Sequence, residues 1–507
     1  MKISLKALFQ IFLVLWIIAM IQTYIVKGDG ALFDSYTLCL SLGIGFTLLI
    51  SLGLASNKQI LLQVFSITFF MGIYFLPRLW IYQLFPDKLA FTYEKDPDLQ
   101  FINRGLLYIF LGTIAILSGF FYADRCSRKS PKPKGAFKKK LNLPTSQSLF
   151  LVFLFSCLIE LYMVFDLNVT IANHEKIGNH FFIMAIKTLI SNDLAFFVLL
   201  TCILIEDKKT KLDRLMLFFS TALYSIQITL MGSKGAFVRV SLIFLVLLMC
   251  RYGNIRLKAL KLTLVISLAI ILSIVGYGIG LASRMQILTN ENFSISQSID
   301  VTEQVLNGSD LSDFLVAILD RLGTIDYPIL IISSPKTDKP SPYFTISYAI
   351  KSYLNIMLPG DPFSDAIFPT GRVLAIIYGD YTEENLLDMF NSEPWTIWGV
   401  TYAFFGWLGG LLFLFISAFA LHSLYVRLSQ SPFLSPGLLF LAQATYFFWL
   451  MTGCYYNNMG FDYGIAQMSM VILEIMVVCL LGRFIDSFLR NFKKSSTTTF
   501  NAVPCER

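Results

Sequence analysis

Charge is scarce in this sequence. Only 14% of its 507 residues are Asp, Glu, Lys or Arg, while 56% are apolar. A water-soluble domain carries about a quarter charged residues, so an ordinary soluble fold is excluded. Histidine is scarcer still: the three, His174, His180 and His422, are scattered. With no His-Glu-x-x-His and no clustered cysteines, no metal site is expected. Cysteine is absent from 284–395, so that stretch must hold together without disulfides. A Gly-x-Gly-x-x-Gly fingerprint and a phosphate-binding loop are also lacking, and no cofactor is expected. The basic stretches lack the aromatic interleaving of a nucleic-acid binder.

What remains is a series of long apolar runs. Spanning a bilayer takes roughly 20 apolar residues of helix, and the runs predict spans at 7–26, 31–54, 60–79, 103–123, 148–166, 189–205, 215–231, 236–250, 262–282, 396–420, 433–453 and 463–482. Residues 7–26 are too long and uniformly apolar for a cleaved signal and read as an anchor. Lys187, Asn192 and Asp193 interrupt 181–205 and predict a broken or re-entrant element there. With the N-terminus in the cytoplasm, the ends and linkers on the inner face hold 25 of the 40 Lys and Arg residues, eight of them in 124–140. The expected organisation is therefore an N-terminal transmembrane bundle over 1–283 with a basic cytoplasmic loop at 124–147. An extracytoplasmic loop follows over 284–395, then C-terminal helices over 396–482 and a cytoplasmic basic tail over 483–507. The fold class is all-α: a polytopic bundle of about 12 transmembrane helices with a large, partly helical external loop.

Several charged residues fall where lipid makes them expensive. Glu160 and Glu474 lie inside predicted spans, where a carboxylate is hydrogen-bonded within the bundle, couples protons, or pairs with a buried cation. The run Met231-Gly232-Ser233-Lys234-Gly235-Ala236-Phe237-Val238-Arg239 forms an outer turn that projects Lys234 and Arg239 near the membrane surface. Arg239 either snorkels or meets an anionic ligand such as a lipid-linked phosphate. Arg284, Arg321 and Arg372 share that outer side. Gly406-Trp407-Leu408-Gly409-Gly410 reads as a close-packing motif, preceded by the aromatic stretch Asn391-Ser392-Glu393-Pro394-Trp395-Thr396-Ile397-Trp398.

Together these features resemble the O-antigen polymerase family, the bacterial oligosaccharide repeat-unit polymerases. The Gly232 to Arg239 turn is similar to that family's mid-chain glycine and basic turn. The long external loop precedes the last spans as it does there, and Trp398-Gly399-Val400-Thr401-Tyr402-Ala403-Phe404-Phe405-Gly406-Trp407-Leu408-Gly409 resembles its aromatic run into a Phe-Gly-x-x-Gly helix start. Lys234 stands where many members have arginine. The resemblance implies a GT-C-like membrane glycosyltransferase bundle in the bacterial inner membrane, working without metal. It would polymerise undecaprenyl-pyrophosphate-linked repeat units at the outer leaflet into O-antigen, capsule or exopolysaccharide. Asp380, Glu383, Glu384 and Glu393 are then candidate bases for the acceptor hydroxyl. Lys234, Arg239, Arg284, Arg321 and Arg372 would receive the departing pyrophosphate. Implied partners are the lipid-linked oligosaccharides, membrane lipids, a chain-length regulator and a flippase. The competing readings are a lipid-linked oligosaccharide flippase or other secondary transporter, and the related O-antigen ligase.

Overall fold

In the computed structural model the described residues are 2–84, 98–128, 142–167, 183, 186–187, 189–205, 210–230, 236–253, 256–258, 324–334, 336, 341–358, 362–366, 368–378, 382, 395–431, 434–455 and 461–500. They form an almost wholly helical protein. In chain order the helices are α1 Leu5–Lys27, α2 Ser35–Leu54, α3 Lys58–Tyr74, α4 Leu76–Leu84, α5 Leu99–Ser127, α6 Ser146–Phe165, α7 Asn192–Ile205, α8 Lys211–Leu230, α9 Ala236–Tyr252, α10 Asp326–Ser333, α11 Ile346–Met357, α12 Val373–Tyr378, α13 Thr396–Ser429, α14 Pro436–Trp449 and α15 Phe461–Phe500. The sequence sets their starts locally. Asp34, Asn57, Asp98, Thr145, Thr345 and Ser435 each cap the helix that follows by accepting a backbone N–H.

Among the described residues eight helices are long and apolar enough to cross a membrane: Leu5–Lys27, Ser35–Leu54, Lys58–Leu84, Leu99–Ser127, Ser146–Phe165, Thr396–Ser429, Pro436–Tyr455 and Asp462–Asn491. Asn192–Ile205 and Val240–Tyr252 are apolar but shorter, and α8, although 20 residues long, begins with Lys211, Asp213 and Arg214. The count is thus eight full-length candidates against about twelve expected, and the expected span at 262–282 lies outside the described residues. The chain is a polytopic, mostly helical membrane protein.

Hydrogen bonds show which ends share a face. A two-stranded antiparallel ladder pairs Lys2–Ser4 with Arg256–Lys258. Lys58 Nζ donates to the Cys250 carbonyl at 2.5 Å. Asn57 donates to Asp124 at 3.0 Å, whose carboxylate lies 3.8 Å from His422 Nε2. Arg483 donates to the Asn142 carbonyl at 2.6 Å. The ends that carry the lysines and arginines therefore meet on one face, as the charge distribution requires. On the opposite face Lys27 reaches the Leu84 carbonyl at 2.7 Å and Asn103 reaches Asp34 at 3.3 Å.

The centre of the bundle depends on three glycines of α5 spaced seven apart, Gly105, Gly112 and Gly119. Each lets a neighbour pack against bare backbone: a Cβ on Gly105 would lie 2.8 Å from Ile329 Cα, one on Gly112 would meet Trp398 at 2.7 Å and Leu414 at 2.9 Å, and one on Gly119 would fall 2.5 Å from the Phe415 carbonyl. Gly112 touching both Trp398 and Leu414 has a further meaning. Sixteen residues of straight helix span about 24 Å, so α13 cannot be straight.

It folds back at Gly406, whose φ of 65° and ψ of −162° lie outside helical space. Residues 396–405 run antiparallel to α5, with Tyr108 3.3 Å from Thr401 and Arg104 donating to Tyr402 at 2.8 Å. Residues 407–429 then run parallel to α5, passing Gly112 and Gly119 to reach Asp124. Phe405 and Phe413 stack across the fold with centroids 4.6 Å apart. Sequence patterning predicts one span over 396–420. The structure corrects this to a short re-entrant helix followed by the crossing helix, because Gly406 adopts a backbone that side chains resist.

Gly119→Val will drive a side chain into the α13 backbone and destabilise the protein by about 1–3 kcal/mol. Gly53→Ala, whose added methyl would have no neighbour closer than Gln10 at 4.0 Å, will be neutral or stabilising by up to about 1 kcal/mol. Monodispersity in detergent after stepwise heating separates the two outcomes.

Candidate functional site

The stretch 284–395 is expected to form an extracytoplasmic loop, and one described piece of it, α10, packs into the bundle. α10 is eight residues long and nearly all of it is buried, including Pro328, Ile329, Leu330, Ile331 and Ile332. It wedges between Gly105 of α5 and Gly399 of α13, where a Cβ would stand 2.8 Å from Ile331 Cδ1. Proline is accepted because it falls in the first turn, where its missing N–H has no helical partner to lose.

A buried ion pair fixes the start of α10. Arg78 of α4 donates through Nε to both oxygens of Asp326 at 3.2 and 3.1 Å and through Nη2 at 2.5 Å, and the Tyr82 hydroxyl donates to the same carboxylate. Arg78 is 1% exposed and Asp326 7%. A pair this deep is sustained by geometry: a planar guanidinium meets a carboxylate along two bonds, and a hydroxyl takes up a further lone pair. Asp326 also opens its helix, where the macrodipole favours negative charge.

Next to this lies the part of the loop that carries Arg372. Thr370 donates through its amide at 3.1 Å and its hydroxyl at 2.6 Å to Asp462, at the start of the last spanning helix. Trp395 Nε1 donates to the Gly371 carbonyl at 2.8 Å. The Arg372 amide closes a turn onto the Pro369 carbonyl at 2.9 Å, and Val373 is fully buried. Arg372 is therefore held from both sides by the last span and by the entry to the re-entrant helix. Trp398, one turn on, is enclosed by Phe70, Phe75 and Tyr455 with centroids 6.0, 5.2 and 6.4 Å away.

A second polar group lies within the helix bundle, between α6, α7, α8 and α15. Tyr224 donates to Asp193 at 2.6 Å, and Ser156 donates to Asn192 at 3.0 Å. Lys187 feels the charges of Glu160 and Asp193. Glu474 faces Asp193 and Ser191, with its Oε2 buried and without a hydrogen bond among the described residues. Glu160 and Glu474, 314 residues apart in the sequence, thus belong to one cluster around Asp193.

Of the other sequence-predicted site residues, Lys234, Arg284, Arg321, Asp380, Glu383, Glu384 and Glu393 lie outside the described residues. Arg239 falls on α9, within its first turn, and its side chain is not described. The structure therefore seats Arg372 in a built environment and brings Glu160 and Glu474 together. Sequence reading passed over Arg78, Arg104 and Tyr82. Their signal was available, since Arg78 sits in the run Phe75-Leu76-Pro77-Arg78-Leu79-Trp80 and a cation there is as anomalous as Arg239. Among the described residues no group of three or more His, Cys, Asp or Glu is placed to hold a metal ion.

Removing one partner of the buried pair leaves an uncompensated charge. Arg78→Met and Asp326→Leu will each cost about 3–5 kcal/mol, and the double variant will recover most of that loss because no charge is then stranded. Thermal unfolding of the four proteins in one detergent measures the coupling; additive losses would show that the pair is not formed.

Comparison with known proteins leaves the site to be read from its own geometry: no family model, no curated protein and no solved structure matches the chain.

Proposed function

We propose that this chain is a membrane glycosyltransferase that polymerises polyprenyl-pyrophosphate-linked oligosaccharide repeat units at the leaflet opposite the basic face. The observation that carries this reading is the fixed placement of Arg372, between Thr370 bound to Asp462 and Gly371 bound to Trp395. A cation held in place on that face suits the charge of a departing lipid pyrophosphate, and the motifs around Gly232 to Arg239 and Trp398 to Gly409 support the same reading.

The chemistry is a displacement at the anomeric carbon. A carboxylate from the set Asp380, Glu383, Glu384 and Glu393 accepts the proton of the acceptor hydroxyl as its oxygen bonds to that carbon. The bond from the carbon to the pyrophosphate oxygen breaks, and its electron pair leaves with the pyrophosphate. Arg372, with Lys234, Arg239, Arg284 and Arg321, stabilises the charge on that leaving group. The pyrophosphate linkage itself makes the transfer favourable. The chain-length regulator and flippase implied by the resemblance belong to this proposal as partners.

The intramembrane cluster favours a second reading. Half-buried carboxylates inside a helix bundle, beside a lysine and a tyrosine, suit a proton-coupled transporter of lipid-linked oligosaccharide. Deleting the gene and separating the surface glycan on a gel distinguishes these activities. Loss of a polymerase leaves single repeat units on the final acceptor, loss of a flippase leaves none, and loss of a ligase accumulates long lipid-linked polymer. Complementation with Arg372→Ala at unchanged protein level will lower polymer formation by about 10²–10³-fold, and Arg372→Lys will recover part of it because the fork is lost but the charge remains. Arg239→Ala will give the same single-unit pattern. Long chains in the Arg372→Ala strain would remove Arg372 from the site.

A further inference from the structure

α11 is amphipathic with its faces reversed. A helix on a water-facing loop turns its apolar stripe inward and its polar residues out. Here three polar residues are the buried ones. Tyr348, Ser352 and Asn355 point into the protein, where the Tyr348 hydroxyl donates to the Phe368 carbonyl at 2.9 Å, Ser352 to the same carbonyl at 3.3 Å, and Asn355 to the Phe363 and Ala366 carbonyls at 2.8 and 2.9 Å. The outward ridge carries Ile346, Ile350 and Leu358, with the half-buried Leu354 between the last two. Ile346 is 63% exposed, Ile350 54% and Leu358 49%. A contiguous aliphatic ridge of this kind is stable only if something apolar covers it.

The neighbouring helix identifies the cover. α11 packs along α15, and the Tyr353 hydroxyl lies 3.3 Å from the Ser469 hydroxyl. Ser469 is seven residues into the span Asp462–Asn491, which is about 10 Å of helical rise. The exposed surface of α15 on either side of it is apolar as well: Ile465 at 46%, Ile472 at 46%, Leu473 at 41% and Met476 at 55%. Those residues face lipid because their helix crosses the bilayer, and the α11 ridge continues the same surface.

We infer that α11 is an interfacial helix, lying in the leaflet opposite the basic face with Ile346, Ile350 and Leu358 against the hydrocarbon of bulk phospholipid. Helices of this kind bury an apolar face several ångströms into the boundary between headgroups and acyl chains. The Lys351–Asp365 ion pair, 2.5 Å long with Lys351 partly and Asp365 well exposed, sits at the wet edge of the same helix. This placement is independent of the polymerase reading and holds for any activity of the chain.

The test is photo-cross-linking of the full chain in nanodiscs of phosphatidylcholine and phosphatidylglycerol, with a diazirine-bearing residue in place of Ile350. Leu473 provides the lipid-facing control and Asp365, whose side chain is 64% exposed beside Lys351, the water-facing one. Phospholipid adducts at Ile350 in a yield matching Leu473, and absent at Asp365, are the expected result. Water adducts like those at Asp365, or cross-links to a second copy of the chain, would overturn the inference. The same probe at Leu358 repeats the measurement at an independent position should the Ile350 protein fail to fold.

Discussion

A backbone that enters a membrane bundle without crossing it must bring its own neutralisation, and here the Arg78–Asp326 pair supplies it. Without a cation at Arg78 the carboxylate that opens α10 would be stranded in a low-dielectric interior, at a cost of several kcal/mol. With it, the segment returning from the long loop is anchored at a fixed depth. Gly105 and Gly399 then let α10 lie directly on two helix backbones, and the re-entrant half of α13 follows along α5. The bundle thus gains a layer of irregular chain inside it, tolerated because protein rather than lipid surrounds it.

The same packing ties the two faces of the molecule to one another through α5. At one end its Arg104 holds Tyr402, and at the other its Asp124 gathers Asn57, Arg128 and His422. Between them the glycine repeat sets the distance to α13.

Much of the helical plan was legible in the sequence, because apolar length and the bias of Lys and Arg are direct consequences of lipid as a solvent. The expected spans coincide with eight full-length helices, and the basic ends share a face. The fold-back at Gly406 was not legible. Glycines at 406, 409 and 410 read equally well as a packing motif, and only the positive φ of Gly406 distinguishes a turn from a contact. The Arg78–Asp326 pair was hidden for another reason: its partners are 248 residues apart, and periodicity carries no information about such distances. Glu160 and Glu474 were flagged one at a time by their cost in lipid, and their joint cluster with Asp193 emerged only from packing. Of the proposed site, Arg372 alone is seated with its surroundings; the remaining cations and carboxylates are positions in the sequence.

The central claim is that α10, from the loop between the ninth and tenth expected spans, and the first ten residues of α13 lie inside the bundle without crossing it. Hydrogen–deuterium exchange of the protein in nanodiscs tests it most directly. The account requires the amides of 326–333 and 396–405 to exchange as slowly as those of the spanning helices. Exchange of both segments on the timescale of an open, water-exposed loop would contradict it.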